Sequence, residues 1–400
     1  MDDVFGFVLA GGKGTRLRPL TRDRAKPAVP FGGVYRIIDP VITSLDDANL
    51  REIAVLTQFH PRSLTRHISK WPHKTGHRLY TIGPRETLHG KSWYNGTAHA
   101  IQCNLDLIEF DARDIAVFSG DHIYTIDAND MLKRHRETQA DFTIAAKRVP
   151  ISDENFDGDY FKYGVLTVDS SGRVIGFKEK PEDPAHIPDE EGFALASMGN
   201  YLIKRSVLDE SLKYGFDFGN DIIPKVIENK NVMAYTFNDY WEDVGGLKAY
   251  FKANMDLISE NPGLDLYKLW ESGRPIRNGD GEVPPTIDDN KGVRNLVSDG
   301  FRSFGSDISN SIISPHVRVY GSKLEDAIVF SNVRIGQGSE LKRVIIDKNN
   351  IIPPNSRIGY DPDADRARGY HVDPESGIVV VPRGNPGEYF EKLRELKKVA

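Results

Sequence analysis

Cysteine is almost missing from this chain of 400 residues: Cys103 is the only one. An intrachain disulfide is therefore excluded, and so is a cysteine-based zinc site. No apolar run approaches the ~18 residues of a membrane span, so no membrane association is expected. Excess charge of one sign is lacking too, since 52 Lys+Arg against 58 Asp+Glu leave a net charge of -6. A dedicated nucleic-acid binder would be basic, so no nucleic-acid partner is expected. The start, MDDVFGFVLAGG, is acidic with a short apolar run, unlike a secretory leader, and a cytoplasmic location is expected.

What is present is an ordinary globular composition, 39% hydrophobic, in a chain long enough for two or three domains. The first 255 or so residues alternate short apolar runs with helical patterns. Strands are expected at Phe5–Leu9, Glu52–Thr57, Asp114–Ser119, Asp141–Arg148 and Val232–Phe237. Helices are expected at Thr97–Ile108, at Asp127–Thr138 behind an Asp N-cap, and at Leu247–Ile258. Alternation of this kind implies an α/β fold with a mostly parallel sheet, whose ligands sit beyond the carboxyl ends of the strands. Residues 261–291 are rich in Pro, Gly, Asp and Asn and read as a connecting segment.

A different pattern follows. Ile313, Val319, Leu324, Val329, Ile335, Leu341, Ile346, Ile352 and Ile358 recur at spacings of five or six. A near-hexapeptide period of single aliphatics marks a parallel β-helix, with a short-stranded β-sandwich as the alternative. An apolar strand, Ile378–Val381, and a charged helical tail close the chain.

The strongest chemical motif runs from Leu9 to Gly33, LAGGKGTRLRPLTRDRAKPAVPFGG. A strand enters Gly11-Gly12-Lys13-Gly14, followed by Thr15 and Arg16. Such a loop can aim several backbone N–H groups at phosphate oxygens. It lacks the spacing of a Walker A loop and of GxGxxG. Six basic residues from Lys13 to Lys26 face only Asp23, which suits an anionic ligand. SGDHIY brings Asp121 to the end of a strand, a place for a turn residue or a Mg²⁺ ligand. YWEDVGG offers Asp243, either as a second metal carboxylate or as a cap of the next helix.

Weaker pieces are WYNGTAHA, whose helix N-terminus could face an anion, FKEKP with Glu179 and Lys180, and ASMGNY with Ser197. His60, His67, His73, His77 and His89 crowd one region, but Pro72 and Gly76 interrupt any helix that would align His73 with His77 as metal ligands. His316 in the repeat region raises an acyltransferase alternative.

Together these motifs resemble the sugar-nucleotide pyrophosphorylases and, more narrowly, the bacterial glucose-1-phosphate adenylyltransferases. LAGGKGTRL, RAKPAVPFGG, RIID, TQF, WYNGTAHA, SGDHIY, EKP, ASMGNY, DFGNDIIP, YWEDVG and RVIIDKNNIIP occur in the family's order over nearly the whole chain. The resemblance implies a Rossmann-like nucleotidyltransferase domain over 1–260, a linker over 261–295 and a left-handed β-helix over 296–400. It implies transfer of AMP from ATP to glucose 1-phosphate, with Mg²⁺ as cofactor. By position it assigns Leu9, Ala10, Gly11, Gly12, Gly14, Thr15, Gln58, Gly96 and Thr97 to the nucleotide. Arg16, Lys26 and Asp121 would be catalytic, and Asp121 with Asp243 would hold the metal. Tyr94, Gly164, Glu179, Lys180 and Ser197 would bind glucose 1-phosphate. A homotetramer with phosphorylated small-molecule effectors is implied as well.

Rival readings are a pyrophosphorylase for another nucleotide or sugar, and a non-catalytic regulatory subunit. The latter should have lost some of Arg16, Lys26, Asp121 or Asp243, and all four are present. Two departures stand out: Val34 occupies a position where many relatives carry a basic residue near an effector, and His99 replaces the Asp of GTADA.

Overall fold

A computed structural model describes residues 3–384, apart from residues 73–75, 85, 88–89, 92, 109–110 and 291–292. The expected helical tail, His73 and His89 lie outside the described residues. The chain forms two compact units: residues up to Gly12 together with Pro40–Trp241, and Lys13–Asp39 together with the chain from Glu242 onward. No helix among the described residues is long and apolar enough to cross a membrane.

The first unit is built on a nine-stranded sheet. Its strands are β1 (Val4–Ala10), β2 (Glu52–Thr57), β3 (Arg78–Ile82), β4 (Asp114–Ser119), β5 (Phe142–Pro150), β6 (Val165–Val168), β7 (Val174–Lys178), β8 (Phe193–Lys204) and β9 (Val232–Phe237). They lie in the order β7-β6-β8-β4-β1-β2-β3, with β5 joined to β8 and β9. β1 runs parallel to both β2 and β4, and β2 parallel to β3. β2 and β4 are buried along almost their whole length, as parallel strands covered on both faces should be. Phe5, Phe7, Ala54, Leu56, Ile115, Val117, Phe142 and Ile144 form the centre of the core.

Helix α1 (Thr97–Gln102) is shorter than its apolar pattern predicts. Asn104 ends it, because its amide donates to the Ala100 carbonyl at 2.8 Å and to the Tyr94 hydroxyl at 3.1 Å. A local side-chain bond of this kind competes with the helical ladder. Only a 3₁₀ turn, Leu105–Leu107, continues beyond it. Helix α2 (Ala128–Glu137) opens on its expected cap: the Asp127 carboxylate accepts from the N–H groups of Asn129 and Asp130.

In the second unit, helix α3 (Leu247–Asp256) anchors the Lys13–Asp39 segment. Its Asn254 Oδ1 accepts from the Gly32 N–H at 3.0 Å, and its buried Tyr250 hydroxyl donates to the Pro30 carbonyl. The segment expected to be only a connection also contains a helix, Leu266–Glu271, capped by Asp265, and a strand, Thr286–Asn290, antiparallel to Val293–Val297. Asp265 supplies the cap that a Pro/Gly-rich composition obscures.

The remainder is a left-handed parallel β-helix. Ile308, Leu324, Leu341 and Ile358 stack in one ladder, giving a coil every 16 or 17 residues. Val319, Ile335 and Ile352 stack in a second. Ile313, Val329, Ile346 and Val381 stack in a third. All nine of the periodic aliphatics point into the core. The spacing of five or six is one face of a three-sided coil. Asn310, His316, Asp326, Asn332, Asn349 and Asn355 take positive φ at corners. His316 thus turns a corner, with its N–H on the Asp299 carbonyl.

Candidate active site

Three adjacent parallel strands, β4, β1 and β2, end at the same sheet edge. In register, Leu9 faces Ser119 and Ala10 faces Thr57. The chain therefore delivers Gly11 and Gly12, Gln58, and Gly120–Asp121 side by side, beyond the carboxyl ends of the strands. The Gly120 N–H donates to the Leu9 carbonyl at 2.9 Å, which ties two of these ends together.

Asp121 is held by the Ser119 hydroxyl, which donates to its Oδ1 at 2.7 Å, and its side chain stays about 31% exposed. Ser119 in turn is placed by two residues that the motifs did not single out. The Ser119 N–H donates to Asn200 Oδ1 at 2.9 Å. The buried Tyr124 hydroxyl lies 2.9 Å from the Ser119 carbonyl and 3.0 Å from Asn200 Oδ1. Asn200 reaches them because β8 bulges: Ala145 pairs with Asn200 but Ala146 pairs with Ser197. The bulge re-aims a side chain toward the site. The NY that closes ASMGNY and the IY that closes SGDHIY were the available signal.

Around α1, Gln58 clamps the preceding loop. Its Oε1 accepts from the Tyr94 N–H at 2.7 Å, and its amide donates to the Tyr94 carbonyl at 3.4 Å. Gly96 is required by close approach, since a Cβ there would run into the Phe216 carbonyl oxygen. The anion site expected at the helix start does not form. The N–H groups of Ala98 and His99 donate to the Phe216 carbonyl at 2.9 and 3.0 Å, so the helix end is already satisfied. Thr97 bridges to the DFGND segment: its hydroxyl donates to Asp217 Oδ2 at 3.1 Å and accepts from the Phe218 N–H at 3.0 Å.

A third group gathers around Glu179. A Cβ on Gly164 would touch Glu179 Oε2 and the Phe177 ring, and one on Gly219 would meet Glu179 Oε2. The Ser197 N–H donates to the Gly164 carbonyl at 2.8 Å. Desolvation holds the Glu179 carboxyl above the usual range, with Lys180 pulling it down and Asp217 pushing it up. Asp217 is thus a further residue beside the expected sugar-binding set. Lys180 sits at φ +47 with its N–H on the Tyr163 carbonyl at 3.2 Å.

In the second unit, Gly14 has φ +59, and the Thr21 hydroxyl donates to its carbonyl at 2.7 Å. A Cβ there would press on Lys26 and Thr21, so both backbone and space demand glycine. Gly14 leads into the 3₁₀ turn Thr15–Leu17. Arg16 is exposed and its guanidinium lies over Gly245. Lys26 is about 9% exposed, and its Nζ lies 3.7 Å from Asp243 Oδ1, whose side chain is about 24% exposed. Asp243 does not cap the next helix, because Gly246 occupies the N-cap position of α3 without any side-chain cap.

The same unit gathers cationic groups around the β-helix. Arg24 Nη2 lies 2.8 and 2.9 Å from the two oxygens of Asp347, while its buried Nη1 has no hydrogen-bond partner among the described residues. Burial, helped by Arg24, Arg36 and Arg383 and opposed by Asp347, pushes Lys348 down to about 8. Val34 is buried. In the histidine-rich region, His67 is wholly buried against Trp71 and His77 faces Asp46 at 3.6 Å. Neither belongs to a group of metal ligands among the described residues.

Residues 5–260 match the family model described as Nucleotidyl transferase, and residues 287–381 match GlmU-like, C-terminal hexapeptide. A glucose-1-phosphate adenylyltransferase of Deinococcus radiodurans is 40% identical, covering 95% of this chain and 98% of that protein. The glucose-1-phosphate adenylyltransferase of Geobacter metallireducens is 41% identical over 95% of this chain and 97% of its own. A glucose-1-phosphate adenylyltransferase 1 of Vibrio parahaemolyticus is 39% identical over 96% and 99%.

Proposed function

The chain belongs to the nucleotidyl transferase family and, within it, to the glucose-1-phosphate adenylyltransferases, and from that premise we infer its reaction. It transfers the AMP moiety of ATP to glucose 1-phosphate, giving ADP-glucose, a glucosyl donor for glycogen or another α-glucan, and pyrophosphate. The observation that carries the reading is the shared edge of β4, β1 and β2, which presents the Gly11–Gly12 loop, Gln58 and Asp121 together.

The nucleophile is a sugar phosphate, already ionised near neutrality, so no general base is needed. The work left to the protein is to align an in-line attack on the α-phosphorus and to stabilise the growing negative charge. We assign the backbone of Leu9–Gly12, Gly14 and Thr15 to the ATP phosphates, with Arg16 and Lys26 as the cations that meet the developing charge. Gln58, Gly96 and Thr97 are assigned to the nucleoside end. Tyr94, Gly164, Glu179, Lys180 and Ser197 are assigned to glucose 1-phosphate, with Asp217 beside them. The partly desolvated Glu179 suits a sugar hydroxyl as donor.

Mg²⁺ is the cofactor this assignment requires, and the available donors fit it. Among the described residues no three His, Cys, Asp or Glu cluster as a closed metal cage. Asp121 and Asp243 each keep a partly exposed carboxylate, and magnesium favours one or two carboxylates with phosphate oxygens and water. When bound, the ion would neutralise phosphate charge in the transition state. Ser119 orients Asp121 for it, and Lys26 orients Asp243.

A phosphorylated effector is proposed at Arg24, Arg36, Lys348 and Arg383, where Arg24 Nη1 is a buried donor without a partner among the described residues. A cytoplasmic homotetramer with a catalytic domain over 1–260 completes the proposal. The deciding experiment is pyrophosphate release with Mg²⁺ and glucose 1-phosphate, comparing ATP, UTP, dTTP, CTP and GTP. Preference for ATP is expected. Preference for another nucleotide would keep the chemistry and overturn the adenylyl assignment.

A further inference from the structure

His99 lies in the first turn of α1, with Asn95 and Gly96 immediately before the helix. Its Nδ1 accepts from the Asn95 N–H at 2.9 Å. A Glu or Gln in the third helical position commonly reaches back to the N–H of the N-cap, and His99 reaches one residue further, past the Gly96 N-cap to Asn95. Here an imidazole does it, and the consequence is chemical. A ring nitrogen that accepts cannot carry the proton, so neutral His99 must hold its hydrogen on Nε2. Nε2 lies 3.4 Å from Cys103 Sγ, one helical turn on, so the sulfur is the acceptor there. The ring also packs against Phe216, with centroids 4.7 Å apart. Phe216 is the residue whose carbonyl caps α1, and Asp217 beyond it receives the Thr97 hydroxyl.

One side chain therefore joins three pieces: the Tyr94–Gly96 loop, the helix behind it, and the loop that carries Asp217. We propose that His99 is a positioning residue that holds the Tyr94–Gly96 loop in its substrate-binding arrangement through the Nε2–H tautomer. The proposal rests on the reading that this loop contacts substrate. The titratable groups on the elements packed against the ring are the Cys103 thiol at the end of its own helix and, in the loop that carries Phe216, the Asp217 and Asp221 carboxylates. Asp217 Oδ1 is engaged by Gly219 and Asn220, and Asp221 Oδ2 by the N–H groups of Phe216 and Asp217. Protonation would put a hydrogen on Nδ1 and leave the Asn95 N–H facing another donor. Burial holds His99 below the ordinary histidine range, so this form is disfavoured at neutral pH.

The test compares H99A and H99Q with wild type. His99→Ala removes the acceptor, and roughly a three- to tenfold rise in KM for ATP or glucose 1-phosphate is expected, with kcat within about twofold. His99→Gln restores an acceptor that does not titrate, so its KM values should stay within about twofold of wild type at pH 8. As pH falls from 8 to 5.5, the wild-type KM should rise relative to that of H99Q. Amide exchange over residues 93–98 of the full chain, read by mass spectrometry, gives an answer independent of activity. It should accelerate in H99A and not in H99Q. Unchanged exchange and KM values in H99A, or an H99Q that behaves like H99A, overturns the proposal. An inactive wild type with the expected exchange pattern would instead fault the assigned reaction.

Discussion

Arg24 and Asp347 lie 323 residues apart in the chain and meet as a buried ion pair, with side chains only 3% and 2% exposed. Arg24 is two residues from Lys26, and Asp347 belongs to the β-helix. The pair therefore fastens the cation-bearing segment to the repeat domain. Asp347→Ala would leave the guanidinium buried and uncompensated, at a cost of about 3–5 kcal/mol. We expect a large drop in unfolding midpoint. Denaturant titration checks the cost. A double-mutant cycle with Arg24→Ala should recover part of it, and strict additivity would show that the two side chains do not act as a pair.

Asp121→Asn keeps the size of the side chain and its place near the Ser119 hydroxyl but removes the charge. The fold should be unaffected, while kcat/KM falls by at least about a hundredfold, some 3 kcal/mol of transition-state stabilisation. Steady-state kinetics beside an unfolding curve separates the two effects. Near wild-type turnover would remove Asp121 from the metal assignment.

Gly96→Ala tests a packing claim. The backbone there is extended, so strain is not the issue; the Phe216 carbonyl simply occupies the space of a methyl group. Relief requires moving the loop or breaking the two hydrogen bonds that carbonyl accepts from α1. A stability loss of about 1–3 kcal/mol is expected, together with a raised KM. A variant with an unshifted midpoint would show that the contact relaxes freely.

These cases show which features were legible in the sequence. β2 and β4 coincide with their apolar runs, because a strand buried on both faces is written continuously and ends at glycine or a polar residue, and β9 matches its run although Thr236 is exposed. The β-helix was equally plain, since each aliphatic has no choice but the interior. The helix from Thr97 was overextended because its apolar spacing says nothing of what Asn104 bonds to. The role of Asn200 was hidden because it depends on a bulge, and Asp347 because its partner lies near the other end of the chain. A loop at Gly11–Gly14 was readable from its glycines. The means by which Thr21 and Lys26 enforce the turn at Gly14 were not.

Lys348 supplies a pH test of the proposed effector site. Its ammonium is pushed down to about 8 by burial and by the nearby Arg24, Arg36 and Arg383, with only Asp347 opposing. In the free protein it is mostly charged at pH 7 and mostly neutral at pH 9. A phosphorylated ligand binds the charged form better, so binding should take up a proton and apparent affinity should fall as pH rises from 7 to 9. Folding stability runs the other way, because the folded value lies below the ~10.4 of an unfolded lysine. Deprotonation is easier in the folded chain, so stability gains as pH rises from about 8 toward 10.4. Lys348→Met should flatten both trends. Calorimetric titration with a sugar bisphosphate in two buffers of different ionisation enthalpy measures the proton uptake directly. Binding with no proton uptake near pH 8 would place the effector away from Lys348.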